Sequence, residues 1–588
     1  MIGQRSSKQN RMKILLAAAL SSVMALSACS SNTEPGTSGD PGGNTDNPSA
    51  TESPVLSDPV GFKYDPPISV TTAMVFEQQT ATDFKPGENI EDNVHTRWLR
   101  DTLGIDLSFD FISPKREDHD TKMRLMLAGK NKLPDVMKAS TVLATDLIMA
   151  KKVMPLNDLI ETYLSPNLKA LYEEYPGVLY PVTKDGNIYG LPNMYAMDEG
   201  TIMWVRQDWL DNLGLQAPTT IEEFEEVIRA FTEDDPDGNG KDDTLGLAVS
   251  LKDGPYQWMS SADSLVGAFS DHMAQTGDMR MFWSEDADGN LEYGTIHPSM
   301  KDFLAAMNKW MANGWIDPEA GIKDAAKASE IAASGQAGII FGPYWMNGYP
   351  LSGVPEFQPY PNPVGPKGGA GRAEKAMVHD YTMFSSEFEH PEAIIGYISK
   401  LYATNFGVDD PYYDPFFKNG WHEGYDYVLH DGKVVRQDFE GEGVPQDKWP
   451  VPDDGKTAVR VHFPLTGSTF IPYLGDDAFQ KFKDNPDAEI LNAMEARVQA
   501  SQPRQLDAGL VRISQNDTAI YNRFGGAPTK TMESKGELLS KLETESYLKI
   551  IYGDQPVDYF DEFVRQWRAN GGDQVIQEVN EWYKEMAK

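Results

Sequence analysis

The chain has 588 residues, 40% of them hydrophobic, with 12 Trp, 25 Tyr and 25 Phe, which is more folded material than one hydrophobic core serves, so two or more lobes are expected. Its 89 acidic against 52 basic residues give a formal charge of −37, a field that repels nucleic acid and anionic membrane surfaces and attracts divalent cations.

The chain begins with a basic stretch, Lys8, Arg11 and Lys13, followed by an apolar run from Ile14 to Leu26 and then Leu26-Ser27-Ala28-Cys29. The run is too short to anchor stably across a bilayer and reads as a cleaved secretory signal, residues 1–28. The leader holds four basic and no acidic residues, so its loss takes the charge to about −41. Cys29 is the only cysteine, which excludes an internal disulfide. From there to about residue 60 the chain is Ser, Thr, Gly, Pro, Asn and Asp, a composition that cannot bury enough surface to fold. It reads as a flexible tether.

The body opens on a strand-like run, Ile68 to Phe76. Val94, Trp98 and Leu99 fall on one helical face of 93–103. Ile105 to Ile112 alternates as a strand, Asp120 to Ala128 is helical, and Leu133 to Met137 enters the next strand. Strands alternating with helices imply an α/β lobe with a mostly parallel sheet. Ile202 to Val205 is a further strand. Asp208 is expected to cap a helix from Trp209 to Leu213, and Gly214 to stop it. Thr220 and Glu223 have capping-box spacing ahead of a buried stripe of Phe224, Val227, Ile228 and Phe231. Asp288-Gly289-Asn290 turns between two strand-like pieces. Ser299 to Ala312 and Ile394 to Tyr402 are helices, and Trp209 and Trp310 fall on core stripes. There is no fixed-period repeat and no transmembrane helix after the leader.

Asp235, Asp237 and Asn239 alternate, followed by Gly240, Lys241 and Asp243. These are positions 1, 3, 5, 6, 7 and 9 of an EF-hand-type loop, with the position-7 ligand a backbone carbonyl. Position 12 is Gly246, so the usual bidentate Glu is missing. Calcium in a structural role is expected, against the alternative of an ordinary polar turn. Asp286, Asp288, Gly289 and Asn290 share the composition but read as a plain hairpin.

Several segments taken in order carry a family resemblance. They are 204–231 (WVRQDWLDNLGLQAPTTIEEFEEVIRAF), 235–247, 186–192 (GNIYGLP), 288–319 and 335–345 (GQAGIIFGPYW). The set resembles the large extracellular solute-binding lipoproteins of ABC importers in Paenibacillus- and Bacillus-type bacteria, to about residue 405. The residues 26–29 resemble a lipobox, which implies that Cys29 is the mature N-terminus and carries a diacylglycerol; two acyl chains suffice for stable anchoring. The family often has an acidic ligand directly after position 9 of its metal loop; Thr244 stands there. The resemblance implies a two-lobed, type II-like periplasmic-binding-protein fold with a hinge and an interlobe cleft. It places 61–190 and about 370–410 in the first lobe, and 191–369 and about 411–588, with C-terminal helices, in the second. It implies an oligosaccharide ligand, delivery to a permease, no chemistry, and a monomer on the extracellular face of the cell membrane.

A sugar site needs flat aromatic platforms and a few polar groups. Gly342-Pro343-Tyr344-Trp345, after the apolar strand 337–341, is the leading candidate, because ligands sit off the C-terminal ends of strands. Tyr195, Trp258, Trp421, Asp380 and Arg206 complete the expected set, with local packing, or for Arg206 an ion pair with a neighbouring Asp, as the alternative. No HExxH, complete P-loop or GxSxG motif is present. The alternatives to an importer receptor are a surface polysaccharide lyase or hydrolase, and a peptide-binding or sensor-coupled receptor of the same fold.

Overall fold

The computed structural model describes residues 60–76, 83–129, 131–194, 201–252, 254–255, 259–269, 282–366, 372–374, 378–467 and 476–586. The leader, Cys29, the tether, Tyr195 and Trp258 lie outside the described residues. Among the described residues no helix is long and apolar enough to cross a membrane.

Two sheets organise the body. The first has five strands in the spatial order Ile105–Ser113, Ile68–Val75, Val136–Ala139, Val378–Phe384, Leu191–Met194. The second has four, in the order Phe357–Tyr360, Ile202–Arg206, Ala337–Gly342, Leu245–Ala248. In the first sheet only Val378–Phe384 runs against the rest, antiparallel to both of its neighbours. In the second only Ile202–Arg206 does so. Both reversed strands are entered from the other sheet. The chain leaves the first sheet after Met194 and enters the second at Ile202; it leaves the second after Tyr360 and re-enters the first at Val378. A strand that begins where the lobes join must run away from the junction, whereas a strand reached from a helix of its own lobe, as Val136–Ala139 and Ala337–Gly342 are, runs toward it. The sheets are therefore mixed rather than mostly parallel as expected: one reversed strand in each makes four of the seven strand pairings antiparallel.

The local signals explain most elements. Thr220 caps the helix Ile221–Glu233, with both capping-box bonds formed, and Phe224, Val227, Ile228 and Phe231 are buried. Helix Ser299–Ala312 buries Phe303, Leu304, Met307 and Trp310. Asp288-Gly289-Asn290 turns a hairpin between Trp283–Glu285 and Leu291–Tyr293, where Asp286 Oδ1 accepts from the Asp288 and Asn290 amides. Asp208 differs from expectation. The helix starts at Gln207 with no side-chain cap, because Arg206 has taken the Asp208 carboxylate.

The lobe boundaries also differ from expectation. Residues 191–194 are the edge strand of the first sheet. Phe417 and Leu465 are buried in the first lobe's core with Leu99, Tyr397 and Leu401, and Trp421 and Phe463 pack against it. The segment 411–467 is thus built on the first lobe, carrying a small hairpin, Val428–His430 with Lys433–Val435, and its own apolar cluster with Phe439 and Val444. Hydrophobic pattern says that these aromatics are buried, not against which sheet. Helices Lys530–Ile551, Tyr559–Trp567 and Asp573–Met586 do complete the second lobe. Their Tyr547, Ile550, Phe563, Trp567 and Val579 join Trp283, Phe303, Met307 and Trp310 in one core.

A buried imidazole pair fastens 411–467 to the first lobe. His95 Nδ1 lies 3.1 Å from His422 Nε2, so one proton is shared between them, and His95 Nε2 lies 2.7 Å from the Tyr397 hydroxyl. Burial, then the charge of Arg97, pushes His422 down to about 4, and burial pushes His95 well below the usual histidine range. A histidine whose folded pKa lies below its unfolded value near 6.5 gives stability that is lost as pH falls from about 6.5 to about 4. For His422 the loss by pH 4.5 is on the order of 2–3 kcal/mol. Thermal unfolding of the protein and of His422→Gln at pH 7 and 4.5 is expected to show a smaller acid loss for the variant. Equal losses would remove His422 as the acid-sensitive group.

Candidate functional site

The C-terminal ends of the forward strands and the starts of the reversed strands share one side of each sheet, where the chain crosses between lobes. Asp380 stands at that end of the first sheet, buried, paired with Asn193 across the register. Asn193 Nδ2 donates to Asp380 Oδ1 at 2.5 Å and to Thr382 Oγ1 at 3.0 Å; Thr466 donates to Asn193 Oδ1 at 2.8 Å. The Arg116 guanidinium pairs with Asp380 Oδ2, and His379 Nδ1 lies 3.0 Å from the same oxygen. Burial by itself would raise the Asp380 carboxyl; the His379 hydrogen bond and the charges of Lys138 and Arg116 outweigh it and hold the group below the usual carboxylate range. Lys138 donates to the Phe463 carbonyl at 2.8 Å, and burial pushes its ammonium down to about 8 against the pull of Asp380.

Phe463 links this cluster to Trp421, whose ring meets it edge-on at 4.8 Å. Trp421 therefore belongs with Asp380 on the first lobe, not on the second as expected. Beside them, just past the strand Ile68–Val75, Phe76 and His462 stand edge to face at 5.1 Å, with Phe84 5.2 Å from the same imidazole. Asp83 lies beneath, 3.4 Å from His462 Nε2 and 3.8 Å from Arg460 Nη1.

The corresponding end of the second sheet, where the chain crosses, carries Gly342-Pro343-Tyr344-Trp345. Tyr344 and Trp345 are half-buried on a single 3-10 turn, Tyr344–Asn347. Part of Tyr344 is consumed by Phe479, edge-on at 5.5 Å. Arg504 holds the loop behind them: its guanidinium donates to the carbonyls of Val354, Phe357, Asn347 and Leu351 at 2.9–3.2 Å. Ser260 donates its amide to the Phe341 carbonyl at 2.8 Å, which brings Ser260 to the same rim.

Arg206 is placed elsewhere. It opposes Phe357 at the far end of the second sheet, forks Asp208 at 2.7 and 2.5 Å, and stacks on Trp209 at 4.8 Å. The expected ligand role is therefore corrected to a structural ion pair.

The Asp235 loop lies between helix Ile221–Glu233 and the start of strand Leu245–Ala248, also at the far end. The Asn239 amide donates to Asp237 Oδ2 at 2.8 Å and Asp243 Oδ1 at 3.0 Å, and Asp235 accepts from the Asn239 and Gly240 amides. Asp237 and Asp243 thus share the Asn239 side-chain amide while Asp235 and Asp237 take its backbone N–H, and left-handed Asp235, Gly238 and Gly240 shape the turn. These oxygens, with the Lys241 carbonyl, suit a hard cation. Position 12 cannot contribute: a side chain at Gly246 would come within 2.3 Å of the Ile228 carbonyl. Thr244 is buried, its Oγ1 without a hydrogen-bond partner among the described residues. Among the described residues no ready-made cluster of three acidic, His or Cys metal ligands stands.

Residues 81–404 match the bacterial extracellular solute-binding protein family. The chain belongs to that family. YtcQ of Bacillus subtilis, named as a polygalacturonan/rhamnogalacturonan-binding protein, is 24% identical over 419 residues, 69% of this chain and 72% of that protein. A solute-binding protein of Bifidobacterium longum subsp. infantis shares the fold at a TM-score of 0.63, with 15% identity over 90% of this chain and 100% of the other. FusA, an ABC-transporter substrate-binding protein of Streptococcus pneumoniae solved with kestose, does so at 0.57, with 16% identity over 88% and 99%. FusA has also been solved as an EF-hand mutant. This solute-binding protein is a binder, not an enzyme.

Of the residues expected from sequence, the structure places Asp380 and Trp421 at the first rim and Tyr344 and Trp345 at the second. Not read from the sequence are their neighbours Arg116, Lys138, Asn193, His379, His462 and Thr466, which share no motif and meet only in the fold. Arg206→Met is expected to lower the melting temperature and leave ligand affinity unchanged; an affinity loss with unchanged melting would return Arg206 to the site.

Proposed function

We propose that this solute-binding protein captures an oligosaccharide between its two rims and presents it to the permease of an ABC importer, held at the outer face of the membrane by lipid on Cys29. The observation that carries this reading is a pair of rims, one on each lobe, at the chain crossings. Phe76, Trp421 and the Asp380 cluster stand on one lobe, and Tyr344 and Trp345 on the other, at the side where the chain crosses. Aromatic faces suit the C–H faces of sugars, and the polar cluster suits hydroxyls. A ligand touching both rims favours the closed arrangement by its differential affinity for it. The names of YtcQ and FusA support a saccharide over a peptide. The Asp235 loop is the proposed calcium site, structural and remote from the ligand, held by Asp235, Asp237, Asn239, Asp243 and the Lys241 carbonyl.

Calorimetric titration with plant and microbial oligosaccharides is expected to give micromolar or tighter binding with the sugar recovered uncut. Peptides binding where no sugar does would replace this reading. For the metal, Asp237→Ala is expected to abolish the rise in melting temperature that calcium gives; an unchanged calcium response would remove the loop from the account.

A further inference from the structure

The chain passes between the lobes a third time. Thr466, bonded to Asn193, is still on the first-lobe rim, whereas helix Pro503–Ile513 lies on the second lobe. There Ala508 is buried with Ile202, Trp204 and Phe357, and Arg504 holds the carbonyls behind Tyr344. Between these points stand two shorter helices, Asp476–Asp484 and Ala493–Gln499, joined by residues 485–492. They pack as one unit carried by helix Pro503–Ile513. Phe479, Phe482 and Val498 are buried together with Leu506. Lys481 pairs with Glu495 at 2.7 Å, and the same carboxylate oxygen accepts from the Leu491 amide at 2.7 Å.

The loop of this unit rests on the other lobe. Helix Pro391–Phe406, whose Ile394, Ile398 and Leu401 belong to the first lobe's core, ends at Gly407. A side chain at Gly407 would come within 3.2 Å of the Leu491 carbonyl and 3.5 Å of Asn492 Cβ. With φ at +81°, glycine serves both the turn out of the helix and this close approach. Asp487, on the same loop, pairs at 3.3 Å with Lys433 of the hairpin that 411–467 adds to the first lobe. Both side chains of that pair stand in water, 69% exposed for Lys433 and 78% for Asp487. Val408 and Leu491 are exposed as well, so the lobes touch here without sharing a core. At its other end the unit reaches the candidate platform: Phe479 meets the Tyr344 ring edge-on at 5.5 Å, and Tyr344 packs against the same apolar cluster.

We propose that residues 476–499 are a strap that sets the balance between arrangements of the two lobes and so tunes ligand affinity from outside the site. A rotation of the lobes has to part or slide the contacts at Gly407 and Lys433, because each joins one lobe to the other. A contact made in one arrangement alone stabilises that arrangement. Apparent affinity then changes with the population of the competent arrangement, by the same factor for every ligand. An exposed ion pair makes the adjustment small and sensitive to salt. The strap goes beyond the oligosaccharide reading and holds for any class of solute.

The test is a charge-reversal cycle. Lys433→Glu and Asp487→Lys each set like charges against one another, and the double variant restores an opposite pair in exchanged positions. Both side chains are exposed, so melting temperatures are expected to stay unchanged. Small-angle scattering of each protein without added ligand, and calorimetric titration with the oligosaccharide panel, are the readouts. Each single variant is expected to change the radius of gyration and to shift the dissociation constant about 2- to 5-fold, equally for every sugar that binds, the more compact protein binding tighter. The double variant is expected to return both quantities toward their original values, and the differences to fade in high salt. An unchanged scattering profile in both single variants would overturn the strap. So would an affinity that stays constant while the profile moves, or effects that add in the double variant instead of cancelling. If no sugar binds, the scattering arm still decides the strap, and the oligosaccharide reading alone falls.

Discussion

Chain crossing is the constraint on which the rest of this molecule depends. Each lobe is built from two non-contiguous stretches of sequence, so one strand in each sheet has to start at the junction. Val378–Phe384 and Ile202–Arg206 are those strands, and each lies between two others. The reversal has a chemical result. A forward strand brings its last residues to the junction; a reversed strand brings its first. Asp380 therefore reaches the same rim as Lys138 and Asn193, and Ile202 the same rim as Gly342.

The second theme is how buried charge is managed at that rim. An ionised carboxylate taken out of water is costly unless it is paired and hydrogen-bonded. Asp380 meets this requirement with an arginine, a histidine and an asparagine amide drawn from three separate parts of the chain. The pairing works in both directions: the acid is kept charged, and flexible cationic side chains lose rotamer freedom before any ligand arrives. Such prior ordering lowers the entropic cost of binding. On the opposite rim Arg504 does comparable work with backbone carbonyls instead of acids, tying down the loop that carries Tyr344 and Trp345.

Elements governed by neighbours in sequence were legible before the structure. The Thr220–Glu223 capping box, the stripe from Phe224 to Phe231, the turn at Asp288-Gly289-Asn290 and the helix Ser299–Ala312 all follow from spacing within a few residues; the α/β character follows from the alternation of strands and helices, and the two-lobed form from what the family resemblance implies. Asp208 was misread because a cap and an ion pair compete for one carboxylate, and the competitor, Arg206, is two residues away. Trp421 was placed on the second lobe but packs on the first; its partner Phe463 is 42 residues on, and periodicity carries no information over that span. Of the polar site only Asp380 was visible. Its partners at 116, 138, 193 and 466 become neighbours only once strand order and register are fixed. The family likeness supplied the cleft, but not which side chains line it.

The allocation of the chain's last quarter bears on how the molecule assembles. The first sheet has all its strands by Phe384, and the core around it takes its last buried apolar residue from Leu465. The second sheet is closed earlier, at Tyr360, yet its core still lacks Phe524, Tyr547, Phe563, Trp567 and Val579. Until those helices arrive, Trp283, Phe303 and Trp310 have no apolar cover on that side. As the chain emerges from its N-terminus, the lobe that begins first can also finish first, while the lobe bearing Tyr344 and Trp345 stays open until nearly the final helix has docked. The two rims thus mature in sequence, and the C-terminal helices Lys530–Ile551, Tyr559–Trp567 and Asp573–Met586 decide when the second is whole.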